Sequence, residues 1–118
     1  GEGLSVTVAD ARFAKPLDED LIRALVARHG ALVTIEDGAS GGFGAHVLQW
    51  MAGEGLLDGS CRVRALALPD RFQAQDAPAG MYRDAGLDSA TIAERIRSLA
   101  IHPALPGTAD PRRLTGVA

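Results

Sequence analysis

The chain has 118 residues, a formal net charge of −3, 47% hydrophobic residues and only 4% aromatic ones. That length holds one domain with a core, not two; the acidic balance gives nucleic acid no electrostatic footprint, and the scarcity of aromatics gives bases no stacking platform. A single cysteine, Cys61, excludes an internal disulfide and a cysteine-based metal site, and no signal-peptide pattern or span-length apolar run occurs, so no membrane partner is expected and the expected compartment is the cytoplasm.

The first element is Leu4 to Arg12, where Leu4, Val6 and Val8 alternate with Ser5 and Thr7, the pattern of a strand with one face in a core. Gly-Glu-Gly opens directly onto this strand, so the expectation is a domain cut from something larger. Lys15-Pro16-Leu17-Asp18 then sets up a helix. Proline keeps the residue before it out of helical geometry, Asp18 serves as N-cap, and Glu19 and Asp20 favour the positive end of the helix dipole. Leu21, Ile22, Leu25 and Val26 make its buried face, and Gly30 ends it.

Ala31 to Met51 organises the rest. Ala31–Ile35 is short, apolar and partly β-branched, a buried strand ending in the acid pair Glu36 and Asp37. A glycine-dense loop follows (Gly38, Gly41, Gly42, Gly44), and from Ala45 the side chains Val47, Leu48 and Met51 recur at helical spacing, with Gly55 as the stop. Strand, glycine turn and helix together invite a phosphate-binding reading. The letters oppose it: Gly42 and Gly44 are followed by Val47 where a dinucleotide fingerprint needs glycine or alanine, no Gly-Lys-Ser/Thr occurs, and Glu36 and Asp37 would repel a phosphate. Tight helix-to-strand packing explains the glycines more simply.

After a loop from Gly55 to Ser60, Arg62 to Leu68 reads as a third strand stopped by Pro69, with Asp70-Arg71 at its end. Pro78 to Ala85 is a short helix followed by Gly86, and Asp88 caps a last helix carrying Ile92, Ile96 and Leu99 on one face. Residues 102–118 contain three prolines and two glycines without periodicity, so residues 1–101 are expected to be the domain and the remainder a flexible tail. Alternating strands and helices define an α/β class, three-layer αβα with a mainly parallel sheet.

The catalytic signals are weak. Ser40 and His46 lack a cue that would join them in a triad, G-x-S-x-G is absent, and His29, His46 and His102 share no metal-ligand spacing. Cys61 borders a strand and reads as buried and inert. Glu36 and Asp37 stand at the carboxyl end of a parallel strand, where α/β sheets place ligands. They read either as a general base or a partner's arginine ligand, or as acids hydrogen-bonded to the glycine-loop amides. Asp70 and Arg71 occupy the analogous place on the next strand.

Taken together, Arg12-Phe13-Ala14-Lys15-Pro16-Leu17-Asp18, Val33-Thr34-Ile35-Glu36-Asp37 with Gly41-Gly42-Phe43-Gly44, Leu68-Pro69-Asp70-Arg71-Phe72, and Gly86-Leu87-Asp88 resemble the C-terminal domain of 1-deoxy-D-xylulose-5-phosphate synthase, within the transketolase C-terminal-domain-like superfamily. The resemblance covers about Gly1 to Leu99. The first and glycine elements recur in transketolase and in β subunits of 2-oxoacid dehydrogenases; L-P-D-R-F with G-L-D selects the synthase. The family usually has glycine where Ala67 stands and often Glu-Glu where Glu36-Asp37 stands.

The resemblance implies a homodimeric enzyme that condenses pyruvate with glyceraldehyde 3-phosphate, losing carbon dioxide, for isoprenoid precursor synthesis. It implies thiamine diphosphate and Mg²⁺ held by the preceding domains, with no cofactor, metal or catalytic residue in this one. It also implies a strand and helix before the segment matching Gly1. The interface candidates toward the neighbouring domain or subunit are Glu36, Asp37, Gly41, Gly42, Gly44, His46, Asp70 and Arg71. The alternatives are a free-standing small-ligand or regulatory module using the Gly41–Gly44 loop, or the tail domain of a transketolase or 2-oxoacid dehydrogenase β subunit.

Overall fold

A computed structural model describes residues 3–12, 15–39, 41–69, 78–101 and 113–117. In these, β1 (Ser5–Ala9), α1 (Glu19–Arg28), β2 (Ala31–Ala39), α2 (Phe43–Gly53), a short 3-10 turn (Leu56–Asp58), β3 (Arg62–Leu68), α3 (Pro78–Ala85), α4 (Ser89–Ile101) and β4 (Arg113–Val117) follow in order. The strands form one parallel sheet in the order β1-β4-β2-β3. The α/β class with a parallel sheet therefore holds.

Connection direction explains the layers. The paths β1-α1-β2 and β2-α2-β3 move one way along the sheet, whereas β3 returns through α3 and α4 to β4. Right-handed crossovers put α1 and α2 on one face and α4 on the other. The side chains of β2 follow that division with period two. Leu32 joins Ile22, Leu25, Val47, Met51 and Cys61 beneath α1 and α2, while Ala31 and Val33 join Leu66 and Leu99 beneath α4. A strand buried on both faces has to be apolar throughout, and Ala31 to Val33 is.

Helix limits follow local chemistry. Asp18 caps α1 and accepts from Leu21 N–H at 3.0 Å, as its sequence position requires. Ile22 and Leu25 are buried, with Leu21 and Val26 half-buried beside them. At the other end His29 bridges two elements: Nδ1 donates to the Leu25 carbonyl at 2.9 Å, which leaves Nε2 for Thr7 Oγ1 on β1, also at 2.9 Å. Gly55 takes the left-handed φ of +72° just beyond α2. Asp88 caps α4 by accepting from Thr91 Oγ1 at 2.6 Å and Thr91 N–H at 3.1 Å, and these bonds hold its carboxyl below the usual range.

Four features depart from the sequence reading. The expected flexible tail contains β4, which lies between β1 and β2, so Arg113–Val117 belongs to the sheet and the strands among the described residues number four, not three. The 5 residues of β4, with a glycine among them and the prolines of the preceding segment beside them, are too few to write a period. Residues 102–112 lie outside the described residues. The expected core face of β1 is open beyond Leu4, since Val6 is 49% and Val8 81% exposed. Finally, β2 runs on to Ala39 and α2 begins at Phe43, which moves Gly38 into the strand and Gly44 into the helix.

Candidate functional site

The carboxyl end of β2 meets the amino end of α2, and the link between them is Glu36. Its carboxylate accepts from the Phe43 N–H at 3.0 Å and from the Gly44 N–H. Gly42, the N-cap, has no side chain to offer, so a residue of the preceding strand supplies the cap instead. The negative carboxylate also sits at the positive end of the α2 dipole. Of the readings open for Glu36, the acid hydrogen-bonded to loop amides is the one the geometry realises.

Gly44 permits this approach. A Cβ there would lie 2.8 Å from Thr34 Oγ1, 2.9 Å from Ala65 Cβ and 3.2 Å from Glu36 Oε2, so α2 sits closer to β2 and β3 than any side chain allows. The same closeness leaves Thr34 Oγ1 buried without a hydrogen-bond partner. Gly41 has a φ of +95° with open space around it, the backbone requirement of the turn rather than of packing.

The remaining candidates separate. Alternation turns Asp37 out to solvent while Glu36 turns in, and Gly41 and Gly42 are exposed. His46 is half-buried and lines a cleft of about 520 Å³ with Gln49 and Trp50 of α2 and with Lys15, Pro16, Leu17 and Glu19 at the entry to α1. Asp70, Arg71 and Ser40 lie outside the described residues. His46, Gln49 and Trp50 stand three and four residues apart on one helix face, so the sequence carried the spacing of this cleft wall. What it could not supply was the opposite wall, because the approach of Lys15-Pro16-Leu17 to α2 is tertiary. Arg23 stacks at 5.0 Å from the Trp50 ring centroid and pairs with Glu54.

Chemically the site is closed on itself. A diphosphate placed at the α2 amides would have to displace Glu36 and face Asp37, so these residues do not fit thiamine diphosphate and its metal. No group of three His, Cys, Asp or Glu able to hold a metal occurs among the described residues. Cys61 stands at the opposite, amino end of β3; burial pushes its thiol up to about 11, partly countered by the Arg62 charge, and it is no nucleophile at neutral pH. No helix of the described residues is long and apolar enough to cross a membrane.

Compared with known protein families, residues 1–92 match the family model for the transketolase C-terminal domain.

Proposed function

The chain belongs to the transketolase C-terminal domain family, and from that premise we propose that it is the C-terminal scaffold and interface domain of a thiamine-diphosphate-dependent enzyme of the 1-deoxy-D-xylulose-5-phosphate synthase type. The observation that carries the scaffold role is Glu36 on the α2 amides. The one backbone anion site that the glycine loop could have offered is filled by the chain's own carboxylate, so the loop is built for shape. The choice of the synthase within the family rests on Leu68-Pro69-Asp70-Arg71-Phe72 and Gly86-Leu87-Asp88.

In this reading the full enzyme is a cytoplasmic homodimer that joins pyruvate to glyceraldehyde 3-phosphate with loss of carbon dioxide, and its preceding domains hold thiamine diphosphate and Mg²⁺. Glu36 and Gly44 fix the β2-α2 corner. Asp37, Gly41, Gly42 and His46 present its outer surface to the neighbouring domain or subunit, with Asp70 and Arg71 assigned to the same interface.

The test is an assay of the full-length gene product for carbon dioxide release from pyruvate with glyceraldehyde 3-phosphate, thiamine diphosphate and Mg²⁺. Formation of the five-carbon sugar phosphate supports the synthase. Two-carbon transfer from a ketose phosphate assigns the domain to a transketolase instead, and acyl transfer to a lipoyl carrier assigns it to a dehydrogenase β subunit. The 118-residue chain alone should be inactive in all three.

A further inference from the structure

On the face of the sheet covered by α4, away from the β2-α2 corner, lies a pocket of about 140 Å³. Val33, Leu66 and Leu99 form its apolar floor, and Arg64, Arg95 and Ser98 its rim. Strand alternation brings Arg62 to the same face as Arg64 and Leu66, since Cys61 and Val63 pack on the opposite one. Both terminal nitrogens of Arg62 are buried and make no hydrogen bond. Arg64 spends one donor on the Val63 carbonyl at 2.8 Å. The ion pairs described, Arg23–Glu54 and Arg97–Glu94, involve none of these three arginines, and no acid is among the described residues that line the pocket. A chain with a net charge of −3 thus sets Arg64 and Arg95, neither in an ion pair among the described residues, at the rim of one small depression, with Arg62 on the same face of the sheet.

We propose that this pocket binds a carboxylate carried on a short aliphatic stem. Arginine's planar fork matches a carboxylate in two parallel hydrogen bonds, and the apolar floor suits methylene groups rather than a phosphate, which brings none. The size decides the class further. Whole-ligand sites measure roughly 300–1,000 Å³, so this pocket takes a terminal group and no nucleotide or sugar phosphate. Two sources share that chemistry: a small free aliphatic acid, and a glutamate side chain of an adjoining polypeptide.

The experiment is an NMR titration of the chain, following the arginine Nε–H signals of Arg64 and Arg95, with sodium butyrate and separately with N-acetyl-glutamate N-methylamide. Sodium chloride and inorganic phosphate at matched ionic strength are the comparisons. The expected result is saturable shifts with both carboxylates, about tenfold weaker binding in R64Q and in R95Q, as loss of a charge-assisted hydrogen bond implies, and unchanged backbone amide spectra, since both side chains are exposed. Tighter binding of the blocked glutamate than of butyrate identifies a polypeptide as the source, and the reverse order identifies a free acid. Equal shifts with chloride or phosphate, no saturation, or wild-type titrations in both variants would overturn the proposal.

Discussion

A Cβ on Gly44 would stand 2.8 Å from Thr34 Oγ1, so the first turn of α2 and the centre of β2 touch at a point where neither has room to yield. Gly44→Ala sets two effects against each other. Alanine gains up to about 1 kcal/mol of helix propensity, less in a first turn. Overpacking a fixed contact costs roughly 1–3 kcal/mol, and here the opposing atoms are fixed: Thr34 is β-branched and stiff, and Ala65 Cβ, at 2.9 Å, moves only with the β3 backbone. Overpacking wins, and urea denaturation of G44A should show a loss of 1 kcal/mol or more by this reckoning. Unchanged stability would mean that α2 floats on the sheet.

The cap makes a second claim. Glu36→Ala leaves the Phe43 and Gly44 amides without their acceptor and should cost about 1–2 kcal/mol, with Glu36→Gln recovering part because it keeps an acceptor but not the charge. The graded order, wild type above Gln above Ala in thermal midpoint, is the readout. If Gln and Ala behave alike, the charge alone holds the corner; if all three agree, the contact does not contribute.

Why Glu36 was legible only as a choice between roles, while Asp18 was legible outright, is a matter of distance along the chain. Asp18 caps a helix that begins at the next residue, a local event that sequence spacing encodes. Glu36 caps one that begins seven residues later across a reversal, and only the turn decides whether its side chain meets the amides or solvent. Similar reasoning separates β3, whose limits Arg62 and Leu68 could be read from letters bounded by Pro69, from β4. Arg113–Val117 pairs with Ser5–Ala9 and with Ala31–Thr34, segments from the first third of the chain, and it is only 5 residues long with Gly116 inside it, too short to write a period. The exposed Val6 and Val8 were misread for the converse reason. Alternation says which side chains share a face, not whether anything covers that face.

Thr34 gives a third test, because its buried hydroxyl has no partner. A buried polar group left unsatisfied costs roughly 1–3 kcal/mol, and replacing it with a methyl of similar shape removes that cost. Thr34→Val should therefore hold or raise the thermal midpoint, unlike most core substitutions. A fall of several degrees would show that the hydroxyl has a partner in solution, such as a bound water.

Cys61 links burial to pH. Its thiol titrates near 9.0 when unfolded and about 11 when folded, because desolvation disfavours the thiolate. Between those values the unfolded chain has released a proton that the folded chain retains, so stability should be flat below pH 9, fall as pH rises toward 11, and level off above it. The thermal midpoint of Cys61→Ala should lack this component, so the difference between the two profiles isolates the thiol. At pH 8 iodoacetamide should label native protein far more slowly than urea-unfolded protein.

The outer strand supplies the last expectation. Val6 and Val8 lie on one face of β1, 49% and 81% exposed, and β1 is the end strand of the described sheet, with β4 as its neighbour there. Exposed β-branched side chains on an edge strand invite pairing with another chain. Thr7, between them on the other face, is tied to His29 Nε2, so the strand's own anchorage is independent of the two valines. The double substitution Val6→Thr and Val8→Thr keeps β-branching and removes apolar surface. It should reduce concentration-dependent self-association in sedimentation velocity while leaving the denaturation midpoint within about 0.5 kcal/mol, as for ordinary surface changes. A large loss of stability would instead mean that these valines are covered within a single chain in solution. Unchanged association would place the sticky surface elsewhere.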